Sequence, residues 1–130
     1  MRLLVERRVG DQTINNLRPW YQVDVADTQG HFVDMLAARL PPTFLDGLHY
    51  HLLLATVRRD GNYMPDYTRR LRFAGHIVMV FHGNGIDFQP VRAQMLARGA
   101  DEVLMARYPL SASDISKILN KPVHIPALAA

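Results

Sequence analysis

Two short runs, Leu52-Leu-Leu-Ala-Thr-Val57 and Ile77-Val-Met-Val-Phe81, are apolar at nearly every position. Successive side chains of a strand point to opposite faces, so a strand without polar alternation must be covered on both sides. That is the situation of central strands in a parallel sheet with helices above and below it. Both runs fall far short of the roughly 20 residues a membrane span needs. With 130 residues the chain has room for one such domain and its core, but not for two.

The rest of the chain supplies the alternation. Arg2 to Glu6 is a compact apolar run readable as a first strand, and its acid after three apolar residues excludes a signal-peptide core. Asp11 to Arg18, with Ile14 and Leu17 at helical spacing, predicts a short helix. Tyr21-Gln-Val-Asp-Val25 alternates like a half-exposed edge strand. Asp27 or Thr28 can cap the following helix, whose apolar face is Phe32, Met35, Leu36 and Leu40. Pro41-Pro42 stops it and opens a loop reaching Leu48.

After the first apolar run, Asp60-Gly61-Asn62 predicts a turn. A helix follows with Pro65 in its first turn and Tyr67 and Leu71 on one face. Asp87 can cap a helix burying Val91 and Met95, and Val103-Leu-Met105 is a short last strand. Ser111 and Asp114 have capping-box spacing before Ile115, Ile118 and Leu119. Residues 1–120 therefore form the domain. Residues 121–130 read as a tail, or as the start of a linker to an effector domain outside this chain.

Composition narrows the function. There is no cysteine, which excludes disulfides and thiol catalysis and is compatible with a cytoplasmic protein. The net charge is only +3, and its clusters (Arg7-Arg8, Arg58-Arg59 and Arg69-Arg70-Leu71-Arg72) read as solvated surface rather than a nucleic-acid stripe. His49 and His51 lie on one side of a strand, a spacing that permits metal binding, but no third ligand accompanies them. His82-Gly-Asn-Gly85 lacks the Gly-Lys-Ser/Thr ending of a phosphate-binding loop. Trp20 and Tyr21 read as core or rim. No Ser-His-Asp set can be assembled, so the chain is read as a non-enzyme.

The order of these segments resembles the receiver domain of bacterial two-component response regulators. Gly99-Ala-Asp-Glu-Val-Leu104 is similar to that family's turn into its fifth strand. Tyr50-His-Leu-Leu-Leu-Ala55 is similar to its third strand, and Thr56 to Arg72 to the stretch from the phosphorylated Asp through the third helix. Tyr21-Gln-Val-Asp-Val-Ala26 is similar to the second strand of the winged-helix (OmpR/PhoB-like) subfamily. The resemblance implies a CheY-like (flavodoxin-like) three-layer sandwich: a five-stranded parallel sheet of order 2-1-3-4-5 with helices on both faces.

The chemistry departs from the family. Receivers hold Mg²⁺ on acidic groups after the first strand and at the end of the third, and the ion neutralises the transferred phosphoryl group. The matching residues here are Glu6 and Arg7, and the phosphoacceptor position falls on Thr56. The switch Ser/Thr position falls on Phe81, and the aromatic-switch position on Val103. Ala106, Arg107 or Tyr108 occupies the region of the phosphate-binding Lys. Such a degenerate pocket implies a lost Mg²⁺ site, no cofactor, and Arg7 paired with Glu6 or Asp60 in place of the ion.

The resemblance therefore implies an atypical, phosphorylation-independent receiver domain that acts in transcription regulation as a homodimer. It would reach DNA only through an effector domain outside this chain and would not engage a membrane. Receivers of the winged-helix subfamily dimerise through the fourth helix, fifth strand and fifth helix. The resemblance thus implies a dimer face carrying Arg92, Arg98, Asp101, Glu102, Arg107, Asp114 and Lys117, whose opposite charges can self-complement about a two-fold axis. Two alternatives stand beside it. One is an adaptor docking on a protein partner, and the other a small-ligand sensor using the vacated pocket near Glu6, Thr56 and Phe81.

Overall fold

The computed structural model describes residues 1–38, 49–57, 64–70, 73–83, 85–105 and 107–123. Leu40, the Pro41–Leu48 loop, the Arg58-Arg59 pair, the Asp60–Asn62 turn, Leu71, Arg72, Ala106 and residues 124–130 lie outside the described residues, as does the side chain of Tyr67. The strands are β1 (Arg2–Glu6), β2 (Gln22–Ala26), β3 (Leu52–Thr56), β4 (His76–Phe81) and β5 (Glu102–Met105). The helices are α1 (Asp11–Leu17), α2 (Gln29–Ala37), α3 (Met64–Arg70), α4 (Gly85–Ala97) and α5 (Ala112–Leu119). All pairings are parallel, in the order β2-β1-β3-β4-β5.

The two apolar runs are the central pair, as their composition requires. Every residue of β3 is buried, and so are five of the six of β4. Their alternate faces feed two separate cores. Leu53, Ala55, Ile77 and Met79 pack with Phe32, Leu36 and Met95 from α2 and α4. Leu52, Leu54, Val78 and Val80 pack with Ile14, Leu17, Ile115 and Ile118 from α1 and α5. The edge strand β2 alternates less cleanly than expected, with Val23, Asp24 and Val25 all half-buried.

The helix starts follow the cap chemistry, with one change. Thr28, not Asp27, caps α2, its hydroxyl accepting from the His31 N–H at 3.1 Å. Ser111 and Asp114 form the expected reciprocal box, satisfying two N–H groups at the start of α5. Asp87 does not cap α4; the helix begins at Gly85 and places Asp87 in its first turn. Between β1 and α1 a 3₁₀ turn, Arg7–Val9, was not expected from periodicity. Gly10 closes that turn at φ +108°, a conformation glycine adopts without a Cβ penalty.

Candidate functional site

Parallel strands bring their carboxyl ends to one edge of the sheet, where ligands of open α/β sheets bind. Glu6 ends β1 and Thr56 ends β3, and pairing of Val5 with Leu54 leaves Thr56 one residue beyond Glu6 on the neighbouring strand. The Thr56 hydroxyl donates to Glu6 Oε1 at 2.5 Å. Both are buried, at 2% exposure for Glu6 and 5% for Thr56, and among the described residues Glu6 Oε2 has no hydrogen-bond partner. Among the described residues, the donor that holds the carboxylate in the protein interior is therefore the Thr56 hydroxyl.

Arg7 does not join this pair. The 3₁₀ turn carries it out of the sheet, and its guanidinium bonds Asp27 beyond β2 and reaches Asp11 Oδ1 at 3.5 Å. The expected pairing with Glu6 is thus replaced, because backbone direction changes at the very residue that would have made it. Asp60, the other expected partner, lies outside the described residues. The Asp27 hydrogen bond and charge hold the Arg7 guanidinium above its ordinary value, and Arg7 in turn lowers the Asp27 carboxyl.

Phe81, at the end of β4, stands over Gly83, where an added Cβ would meet the ring at 2.2 Å. Its ring centroid is 6.0 Å from that of Phe88 on α4. Phe81 is half-buried against the α2–α4 core. Val103 is buried in the same core. Arg107 and Tyr108 lie exposed after β5, with Arg107 Nε donating to Met105 Sδ at 3.2 Å. They line a cleft of about 180 Å³ on the α1/α5 side, with Val9, Gln12, Val80, His82 and Leu110.

The candidate dimer face divides. Asp101 is not on it: its side chain is 5% exposed, bonded to Arg69 Nη2 at 3.0 Å and accepting the Ile77 N–H at 2.7 Å. The residue before β5 points into the protein because that N–H needs an acceptor. Arg92 and Glu102 pair within the chain at 3.3 Å, and Arg98 reaches Asp66 at 2.8 Å. Asp114 is committed to its cap, while Lys117 and Arg107 are exposed. Ile86 and Tyr108, 86% and 82% exposed, add apolar surface that charge patterning did not single out.

Arg69 is the residue that local pattern misplaced. It was expected on a solvated face, yet its side chain is 1% exposed. Nε donates to Gly99 O at 3.1 Å, and Nη1 to Phe73 O and Gly75 O at 2.9 and 2.8 Å. Burial pulls its guanidinium below the ordinary value, and Asp101 offsets part of that. Gly99 sits at φ +112°, and a Cβ there would lie 2.8 Å from Arg69 Cγ. The glycine thus serves its turn and the arginine together.

The two histidines before β3 lie with ring centroids 4.3 Å apart and planes tilted by 48°, and His51 Nδ1 accepts the Arg2 N–H at 3.2 Å. Burial first, then the charges of His49 and the amino terminus, lower the His51 pKa. Among the described residues no three acidic, histidine or cysteine side chains gather as a metal site. Trp20 is exposed, not core, whereas Tyr21 packs partly on the α1/α5 core. No helix among the described residues is long and apolar enough to cross a membrane.

This arrangement of strands and helices is the CheY-like receiver fold. Among solved structures, a CheY-like response regulator receiver domain protein from Methanospirillum hungatei is 21% identical with a TM-score of 0.59, the match covering 89% of this chain and 87% of that one. The response regulator DrrB from Thermotoga maritima, an OmpR/PhoB homologue, is 11% identical with a TM-score of 0.58. That match covers 83% of this chain but 46% of DrrB. No family model and no curated protein matches the sequence.

Proposed function

We propose that this chain is an atypical receiver domain in response-regulator signalling that accepts no phosphoryl group at position 56 and acts as a homodimer. The observation that carries this reading is the buried hydrogen bond from Thr56 to Glu6. Phosphoryl transfer to a receiver requires a carboxylate nucleophile and a divalent cation beside it. A threonine hydroxyl is neutral, and here its proton is directed to a carboxylate instead of an incoming phosphate.

The donor set at this edge does not fit Mg²⁺, which demands near-octahedral oxygen coordination. Glu6 supplies one carboxylate, half engaged by Thr56, and the next residue is a cation drawn away to Asp27. The homodimer reading is supported by the exposed Arg107, Lys117, Ile86 and Tyr108 along α4, β5 and α5. Fixed in one state, such a dimer would hold attached DNA-binding domains at constant spacing and so act in transcription regulation.

The test is a titration with Mg²⁺ and beryllofluoride, a phosphoryl mimic, followed in the backbone amide spectrum, together with the mass in solution. The reading expects no saturable shifts at Glu6, Thr56 and Phe81, and the mass of a dimer. Saturable shifts there refute phosphorylation independence. A monomer at all concentrations refutes the dimer and favours an adaptor.

A further inference from the structure

The cleft on the α1/α5 side is separate from the Glu6–Thr56 pair. Its floor is apolar and buried, made by Val9, Val80 and Leu110. Its rim is polar and exposed, made by Gln12, His82 and Arg107, with the Tyr108 ring beside them. A concave apolar floor with a few convergent polar groups is the usual anatomy of a small-molecule site. The carboxyl ends of β1, β4 and β5 all supply its walls, which is where this sheet architecture binds ligands.

The walls are held in place before any ligand arrives. Thr13 Oγ1 accepts the Leu110 N–H at 3.0 Å, and Asn16 Nδ2 donates to Leu110 O at 3.0 Å. Both backbone groups of Leu110 are thereby tied to α1, fixing the loop after β5 against the loop after β1. Such preorganisation lowers the ordering entropy that binding would otherwise incur. Neither Arg107 nor His82 has a carboxylate partner among the described residues. A guanidinium presents paired N–H donors that match a carboxylate in a planar, bidentate geometry.

We infer that this cleft binds a small organic carboxylate, its charged head on Arg107 and its apolar body over Val9, Val80 and Leu110. At about 180 Å³ the cleft is below the roughly 300–1,000 Å³ of sites for drug-sized ligands, which limits the body to about one ring. The apolar floor selects against a bare inorganic anion, which would lose hydration there without recovering it. The cleft shares Arg107 and Tyr108 with the face proposed for the homodimer, so binding is read at Gly10, Thr13, His82 and Leu110 and the dimer separately by the mass in solution.

The experiment titrates the full chain with benzoate, benzamide and inorganic phosphate, following backbone amide shifts. Benzoate is expected to give saturable shifts at Gly10, Thr13, His82 and Leu110, and the other two probes none. Arg107→Gln is expected to weaken benzoate by about tenfold, the worth of one charge-assisted hydrogen bond, with an unchanged melting temperature. His82→Ala, also at an exposed position, is expected to weaken it by a smaller factor and provides a second reading. The inference is overturned by no saturable response to benzoate, by an equal response to benzamide, by a response to phosphate alone, or by benzoate affinity unchanged in Arg107→Gln.

Discussion

Replacing Thr56 with valine tests the central feature of the candidate site with almost no change of shape. Among the described residues the hydroxyl donates to Glu6 Oε1, and Oε2 has no partner there. Thr56→Val therefore leaves a carboxylate at 2% exposure with neither oxygen hydrogen-bonded. A hydrogen bond to a charged group is worth about 1.5–3 kcal/mol net, and stranding the buried partner puts the loss at the upper end. The methyl that replaces the hydroxyl returns less than about 1 kcal/mol. The desolvation loss wins, leaving a net destabilisation of about 2 kcal/mol.

For a domain of this size, about 3–4 °C of melting temperature goes with each kcal/mol, so Tm should fall by roughly 6–8 °C. Chemical denaturation by urea, with an unchanged slope, gives the free energy independently. The double variant Glu6→Leu with Thr56→Val should recover most of the loss, since replacing both polar partners by apolar groups is nearly neutral. If Thr56→Val unfolds within about 0.5 kcal/mol of the parent, the scatter of an ordinary surface substitution, the hydroxyl is not what holds Glu6 in the interior. Thr56 then has no structural role at the end of β3.

Two further outcomes are expected. Arg69→Met strips the cation from a buried pair and the donors from three carbonyls, and should cost about 3–5 kcal/mol by urea denaturation; a loss under about 1 kcal/mol would return Arg69 to the surface. For His51, whose folded pKa lies below the unfolded value of about 6.5, the unfolded chain binds more protons in the window between the two. Its contribution is full above that unfolded value and is lost as the pH drops toward the folded one. His51→Asn should flatten this part of the stability profile, and an unchanged slope just below about pH 6.5 would refute it.

The elements themselves were legible in the sequence because they follow from short-range periodicity. Apolar runs at β3 and β4, helical spacing at Ile115 and Ile118, and cap residues at Thr28 and Ser111 each constrain structure within a few neighbours. Strand order is different: it was expected from resemblance to receivers, and the tertiary structure bears it out. Glu6, Thr56 and Phe81 were grouped at one edge through the same resemblance, whereas the strand ends shifted by a residue: β3 stops at Thr56 and not Val57, and β2 runs on to Ala26.

Tertiary structure alone decided what those residues do there. Arg69 and Arg70 are adjacent and chemically identical, yet the first is buried and the second exposed. Nothing local separates them; the difference is made by carbonyls of Phe73, Gly75 and Gly99 and the carboxylate of Asp101, brought together when β4 and β5 pair. Asp101 left the expected dimer face for the same reason, and Arg7 left Glu6 because a turn redirected the chain. A periodic pattern records which side of an element faces the core. It does not record which charges meet there, because their partners are set by pairings between distant segments, up to 50 residues apart for Glu6 and Thr56.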